Sequence, residues 1–297
     1  MKTTTVTRQF FRDNPLPSHE EGSDKQARGR VLIIAGSVEV PVASLLAGLG
    51  ALRAGAGILQ IATCRSVAPH LGVAMPEAMV VGCRETTAGG IDPAEAPRLA
   101  ELGSDCDAVL IGPGMMDEVA VAELTNELLK RVEAPVFVLD ASAFATLKPS
   151  ELQRKAVGNV VVTPHSGEMA KFLGIPRDEV EKLPLQAARQ ASSALQAVVA
   201  LKGPKTYIVS PDGEAWLSEN GSIGLATSGS GDTLAGILTG LVARGASPAV
   251  ATVWAVYMHG EAGRRLANNI GALGLLAREI PGVIPQIMQE LGNASAI

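Results

Sequence analysis

A three-layer α/β/α fold around a mainly parallel sheet is expected for this chain on three grounds. Short continuous runs of Val, Ile and Leu recur along it, the longer segments between them are Ala-rich with helical spacing, and the runs end in small or charged residues that do not serve a core. Unbroken apolar runs, as opposed to alternating ones, mark strands covered on both faces. Strand and helix patterns in alternation place such a sheet between two helix layers. At 297 residues, 47% hydrophobic and 19% charged, the chain is long enough to bury a large core.

Residues 1–28 mix Arg, Asp, Glu, Lys, Pro and His without an apolar run. They read as a polar N-terminal leader, neither a signal peptide nor a membrane anchor. Residues 29–297 read as a single domain. Strands are expected at 31–35, 59–62, 78–81, 108–111, 136–139, 160–163, 198–201 and 206–210. Several end in tails that face a ligand crevice in open parallel sheets: Gly36-Ser37, Gly112-Pro113-Gly114, Asp140 and Pro164-His165. The tails should converge on one edge. Turns at Asp212-Gly213 and Asn220-Gly221 flank residues 214–217 and predict a small antiparallel hairpin before the last helices.

Composition narrows the partners. The net charge is −5 and the 25 basic residues are spread along the chain, so neither nucleic acid nor an anionic membrane is expected as a partner. Aromatic residues make up only 3%, too few for the stacking surfaces that single-stranded nucleic acids need. Cys64, Cys83 and Cys106 are far apart and form no C-x-x-C pair, as reduced core thiols of a cytoplasmic protein would be.

The chemistry concentrates at Gly229-Ser230-Gly231-Asp232. This turn leads into a helix whose apolar positions Leu234, Ile237, Leu238, Leu241 and Val242 share one face. Glycines at 229 and 231 let backbone amides approach an anion, and the helix dipole behind them favours it. Such amides can hold a transferring phosphoryl group, with Asp232 in the first turn as base toward an attacking hydroxyl. The alternative is that Asp232 only caps a helix after a glycine turn, where acidic residues are favoured in any case.

Three segments appear together in order: Thr163-Pro164-His165-Ser166-Gly167-Glu168, Lys202-Gly203-Pro204-Lys205-Thr206, and Gly229-Ser230-Gly231-Asp232. With them run Gly29 to Ser37, Ala51-Leu52-Arg53-Ala54-Gly55-Ala56-Gly57, Pro76-Glu77-Ala78, Ile111-Gly112-Pro113-Gly114 and Leu139-Asp140-Ala141. The set resembles the ribokinase-like superfamily and, more narrowly, the ADP-dependent NAD(P)H-hydrate dehydratases, over about residues 29–290. The resemblance implies a ribokinase-like fold and a kinase-like repair reaction. A hydroxyl on the damaged nicotinamide ring of hydrated NADH or NADPH is phosphorylated from ADP, and phosphate leaves to restore the double bond.

By the same resemblance, Asp232 is the base and the amides of Gly229 and Gly231 hold the phosphoryl group. Lys202, Gly203, Pro204, Lys205 and Thr206, with Gly231, bind the nucleotide. Ala43, Gly114, His165 and Asp232 contact the hydrated dinucleotide. Mg2+ is implied as a cofactor, with Glu168 reaching it through water; Glu168 serves equally well as a favourable first-turn charge for its helix. A homo-oligomer is implied too, as is a separate NAD(P)H-hydrate epimerase, fused in some relatives.

Without the resemblance, His165 reads as a satisfied polar residue, Lys202 as a solvated strand-end lysine and Gly112-Pro113-Gly114 as a tight turn. His259 and Trp254 read as core or interface residues of an Ala-rich helix. The family's Asp-Ala-Asp-Ala-Leu-Asn strand end stands here as Asp140-Ala141-Ser142-Ala143-Phe144-Ala145, and Val42 precedes Ala43 where Gly is usual. A same-fold kinase for a thiazole, pyrimidine or sugar is one alternative. Val42, Ser142 and Ala145 motivate another, a nucleotide-binding protein that has lost catalysis.

Overall fold

A computed structural model describes residues 3–18, 24–133, 135–148, 150, 152 and 157–293. Of the expected leader, residues 1–2 and 19–23 lie outside the described residues, as do residues 294–297 at the end of the expected domain. The strands are β1 (Thr3–Thr5), β2 (Arg30–Ile34), β3 (Ile58–Cys64), β4 (Ala78–Cys83), β5 (Ala108–Ile111), β6 (Val136–Leu139), β7 (Val160–Val162), β8 (Val198–Leu201), β9 (Thr206–Val209) and β10 (Ala215–Ser218). They form one 10-stranded sheet in the order β1-β10-β9-β8-β7-β6-β5-β2-β3-β4. From β8 through β4 every pairing is parallel. The antiparallel pair is the predicted hairpin of β9 and β10, with β9 also antiparallel to β8.

The sheet is covered on both faces, which is why its strands are unbroken apolar runs. On one side lie α1 (Arg8–Asp13), α2 (Val42–Arg53), α3 (Ala68–Ala74), α10 (Ser230–Ala243), α11 (Pro248–Ile270) and α12 (Ile280–Asn293). On the other lie α4 (Ala96–Ser104), α5 (Glu118–Arg131), α6 (Ala141–Ala145), α7 (Ser166–Leu173), α8 (Arg177–Lys182) and α9 (Pro184–Leu195). Within β2, Val31 and Ile33 join the first core while Leu32 and Ile34 join the second, the period-two alternation of a pleated strand. This is the three-layer α/β/α arrangement that the apolar runs predict.

Helix α10 is buried from Thr233 to Ala243 and packs on α2. The two helices meet closely enough that a Cβ on Gly236 would lie 2.0 Å from the Ala47 carbonyl oxygen. Backbone atoms there leave no room for a side chain. The position of the glycine turn at the head of α10 is therefore set by a rigid contact with the sheet-covering helix beside it.

The described residues of the polar N-terminal segment join the sheet. Strand β1 extends the sheet by pairing in parallel with β10, and α1 follows directly. Phe11 is fully buried, with its ring centroid 4.7 Å from that of Trp254 and 4.6 Å from that of Tyr257. Phe11 and Val6 are buried in the core and Phe10 and Leu16 pack against it, so these four side chains anchor the segment. Burying such a side chain stabilises a fold by several kcal/mol, and truncating it leaves a cavity. Phe11→Ala is expected to cost about 3–5 kcal/mol, read as a lower urea midpoint. A midpoint unchanged from the wild type would show that this segment does not dock.

The three cysteines are free and buried. Burial pushes the thiols of Cys64, Cys83 and Cys106 up, to about 11, 12 and 12 respectively. Because the thiolate is the reactive species, the folded protein is expected to resist thiol-modifying reagents even at pH 9 and to react fully once unfolded. Rapid labelling of the native chain would contradict this placement. Among the described residues, no helix is long and apolar enough to cross a membrane.

Candidate active site

Several of the side chains singled out in the sequence meet at the carboxyl ends of β6, β7 and β8 and at the N-terminus of α10. Asp140 follows β6 and is 2% exposed. Thr163, which follows β7, donates its hydroxyl to Asp140 Oδ1 at 2.6 Å. Lys202 follows β8, and its Nζ donates to the same oxygen at 2.8 Å. The three residues come from neighbouring parallel strands, so the sheet itself sets their spacing. Lys202 Nζ also lies 3.4 Å from where a Cβ of Gly231 would stand. The ammonium is therefore beside the glycine turn as well as against Asp140.

Gly229 starts α10 with φ +85°, a left-handed conformation that suits glycine and strains other residues. The turn then presents the first amides of the helix, with Asp232 in its first turn. Burial and the nearby Asp140 carboxylate push the Asp232 carboxyl up to about 6, with Lys202 pulling the other way. A carboxyl so placed can accept a proton near neutral pH and release it readily. Burial works against the charge on Lys202, but Asp140, Glu168 and Asp232 hold its ammonium above the ordinary lysine value.

His165 occupies the N-cap of α7. Its Nδ1 accepts the amides of Gly167 at 2.9 Å and Glu168 at 3.2 Å, while Glu168 Oε2 accepts the His165 amide at 2.8 Å. Glu168 Oε1 lies 3.4 Å from His165 Nε2. The pair thus forms a reciprocal cap and leaves the His165 ring 59% exposed. Lys202 feels the charge of Glu168 as well as those of Asp140 and Asp232, which ties the cap to that cluster.

Gly114 and Ala43 lie together. A Cβ on Gly114 would come 2.5 Å from Ala43 Cβ, and the Gly36 amide donates to the Pro113 carbonyl at 2.7 Å. Gly112, with φ +125°, packs so tightly that its Cβ would stand 1.9 Å from the Asp140 carbonyl oxygen. The Gly112-Pro113-Gly114 turn is therefore wedged between the Asp140 strand end and the start of α2. Val42 points outward, 57% exposed, and Ser142 donates to the Met115 carbonyl at 2.9 Å.

Gly203, Pro204 and Lys205 are exposed, and Lys205 pairs with Glu219 beyond β10. Thr206 begins β9. Of the segment 202–206, Lys202 is the residue that reaches the buried cluster. Two further residues touch the cluster or the glycine turn: one opens the 163–168 segment and the other lies in α11. Thr163 holds Asp140, and His259 in α11 sits 3.0 Å from both Ser230 Oγ and the Ser230 carbonyl oxygen. Sequence alone marks His259 only as a polar residue on an Ala-rich helix. Trp254 is core, as its setting predicts, with its indole N–H donating to the Asn14 carbonyl.

The comparisons with known proteins fall on this geometry. The model of the NAD(P)H-hydrate dehydratase family matches residues 31–286. An ADP-dependent (S)-NAD(P)H-hydrate dehydratase from Xanthomonas campestris is 43% identical over 290 residues, with 98% of each chain covered. A bifunctional NAD(P)H-hydrate repair enzyme from Moorella thermoacetica is 36% identical over 277 residues; the match takes in 93% of this chain and 52% of that protein, so the chain spans about half its length. The crystal structure of the ADP/ATP-dependent NAD(P)H-hydrate dehydratase from Bacillus subtilis, co-crystallized with ATP and Mg2+, superposes with a TM-score of 0.85 at 33% identity, covering 98% of this chain and 99% of that one.

Proposed function

Because the chain belongs to the NAD(P)H-hydrate dehydratase family, we propose that it repairs hydrated NADH or NADPH by ADP-dependent dehydration. The observation that carries this reading is the meeting of Asp232, Lys202 and the Gly229 turn at one helix N-terminus. In this reading Asp232 takes the proton of the ring hydroxyl as its oxygen attacks the terminal phosphorus of ADP. The bond from that phosphorus to the bridging oxygen breaks, and AMP leaves. Phosphate then departs from the ring carbon, a ring proton is lost, and the double bond of the dihydronicotinamide returns.

The protein's part is positioning and charge. The α10 amides around Gly229 and Gly231 hold the transferring phosphoryl oxygens, and Lys202 faces the same space from β8. Gly203, Pro204, Lys205 and Thr206 form the approach for the nucleotide. Ala43, Gly114 and His165 form the wall against which the nicotinamide ring rests.

Among the described residues, no three His, Cys, Asp or Glu side chains group to hold a metal ion. Asp140, Glu168 and Asp232, whose charges all act on Lys202, are hard oxygen donors that would suit a Mg2+ arriving with the nucleotide phosphates and keeping its waters. Glu168 would hold it through water, and the ion would supply charge neutralisation to the phosphate oxygens. A cytoplasmic homo-oligomer working beside a separate NAD(P)H-hydrate epimerase completes the proposal.

Incubation with hydrated NADH, Mg2+ and ADP should regenerate NADH absorbance, with AMP and phosphate as coproducts. ATP in parallel reports the donor preference. Absence of recovery with either nucleotide would sink the proposed reaction. Phosphorylation of a thiazole, pyrimidine or sugar in its place would install the kinase reading, and nucleotide binding without turnover on any of these would mark lost catalysis.

A further inference from the structure

His259 is 8% exposed and has no place in the mechanism above. Its Nε2 lies 3.0 Å from the Ser230 carbonyl oxygen and 3.0 Å from Ser230 Oγ. A carbonyl oxygen only accepts, so a bare ring nitrogen at that distance would set two lone pairs against each other. Nε2 therefore carries the proton and donates to the carbonyl, with the hydroxyl oxygen alongside. Burial, with Lys202 adding to it, pushes the imidazole down to about 4 against the pull of the Ser230 carbonyl, so the ring is neutral at working pH.

The tautomer has a consequence for Ser230. With Nε2 as donor, the ring cannot accept the Ser230 hydroxyl proton. Ser230 is itself 5% exposed, between Gly229 and Gly231. A buried hydroxyl proton without an acceptor is costly, and the anion hole of this turn is where an acceptor arrives. Accepting the proposed phosphoryl transfer, on which this step rests, we infer that His259 holds Ser230 as a hydroxyl donor to the transferring phosphoryl group. Ser230 is then a catalytic contact and His259 a positioning residue behind it.

The test is a double-mutant cycle on the full chain with Ser230→Ala, His259→Leu and the pair. Losing one donor to developing charge lowers kcat by about 10²–10³-fold, and Ser230→Ala is expected in that range with KM for hydrated NADH little changed. His259→Leu should lower kcat in the wild-type background and add little once Ser230 is Ala. His259→Gln, which keeps an N–H donor, should recover part of the loss, as Ser230→Thr should for the hydroxyl. Equal effects of His259→Leu in both backgrounds, or full kcat in Ser230→Ala, would overturn the assignment.

Nitrogen NMR of the imidazole gives an arm that does not depend on turnover or on the leucine variant folding. The Nε2–H tautomer is expected from pH 5.5 to 8, and an Nδ1–H tautomer would overturn the inference with activity intact. An inactive wild-type chain would instead sink the proposed reaction.

Discussion

Asp232→Asn is expected to abolish turnover, leave ADP binding largely intact, and make the folded protein more stable at neutral pH. Removing a general base lowers rate by about 10²–10⁴-fold, and asparagine at this position accepts no proton. The stability change is the more discriminating readout. With its carboxyl pushed up to about 6, the folded protein binds a proton in the range between the ordinary aspartate value and about 6 that the unfolded chain does not. Stability then falls as pH rises through that window, and above it the buried charge is a standing cost. Asparagine removes the cost, so the variant should gain stability at pH 7, and the gain should shrink as pH falls toward 4.

A residue that only capped α10 would show the opposite sign. Loss of a first-turn charge costs about 0.3–1 kcal/mol, independent of Asp140. Urea melts of both proteins at pH 4.5 and 7.5 separate the two roles. A destabilised Asn variant at pH 7.5 that retains turnover would establish the cap. In the wild type, kcat/KM should fall as pH drops through about 6, as the base becomes protonated. A flat profile there would remove Asp232 from the chemistry.

The sheet was legible from sequence because burial on both faces leaves a mark on every residue of a strand. The runs at 108–111, 136–139 and 198–201 coincide with β5, β6 and β8. Strand β1 left no such mark. Its three threonines are mostly exposed, and it pairs with β10 more than two hundred residues away. The glycine turn was legible too, since a left-handed residue and a close approach both demand glycine. The pairing of Lys202 with Asp140 spans 62 positions and follows from β6, β7 and β8 being neighbours, which no local pattern states. His165 hides its capping box for a different reason: its ring nitrogen does the work that a Ser or Thr hydroxyl usually does.

Lys202→Met is expected to cost both activity and stability, and the two losses should come apart. Asp140 is 2% exposed and would keep only the Thr163 hydroxyl as side-chain donor. Breaking one half of such a buried pair costs about 3–5 kcal/mol because the remaining charge is uncompensated. With the cation gone, the Asp140 carboxylate acts on Asp232 unopposed and should push its carboxyl higher still. Asp232 then titrates further above its unfolded value, so the instability should be greatest at pH 7 to 8 and partly relieved near pH 4. The acid limb of kcat/KM should likewise move above 6. Adding Asp140→Asn removes the stranded charge, and the double variant should recover most of the stability while remaining impaired in turnover, since the cation facing the phosphoryl group is still missing. Recovery of activity along with stability would reduce Lys202 to a partner for Asp140. Unchanged stability of Lys202→Met at pH 7 would mean that the ion pair does not form at all.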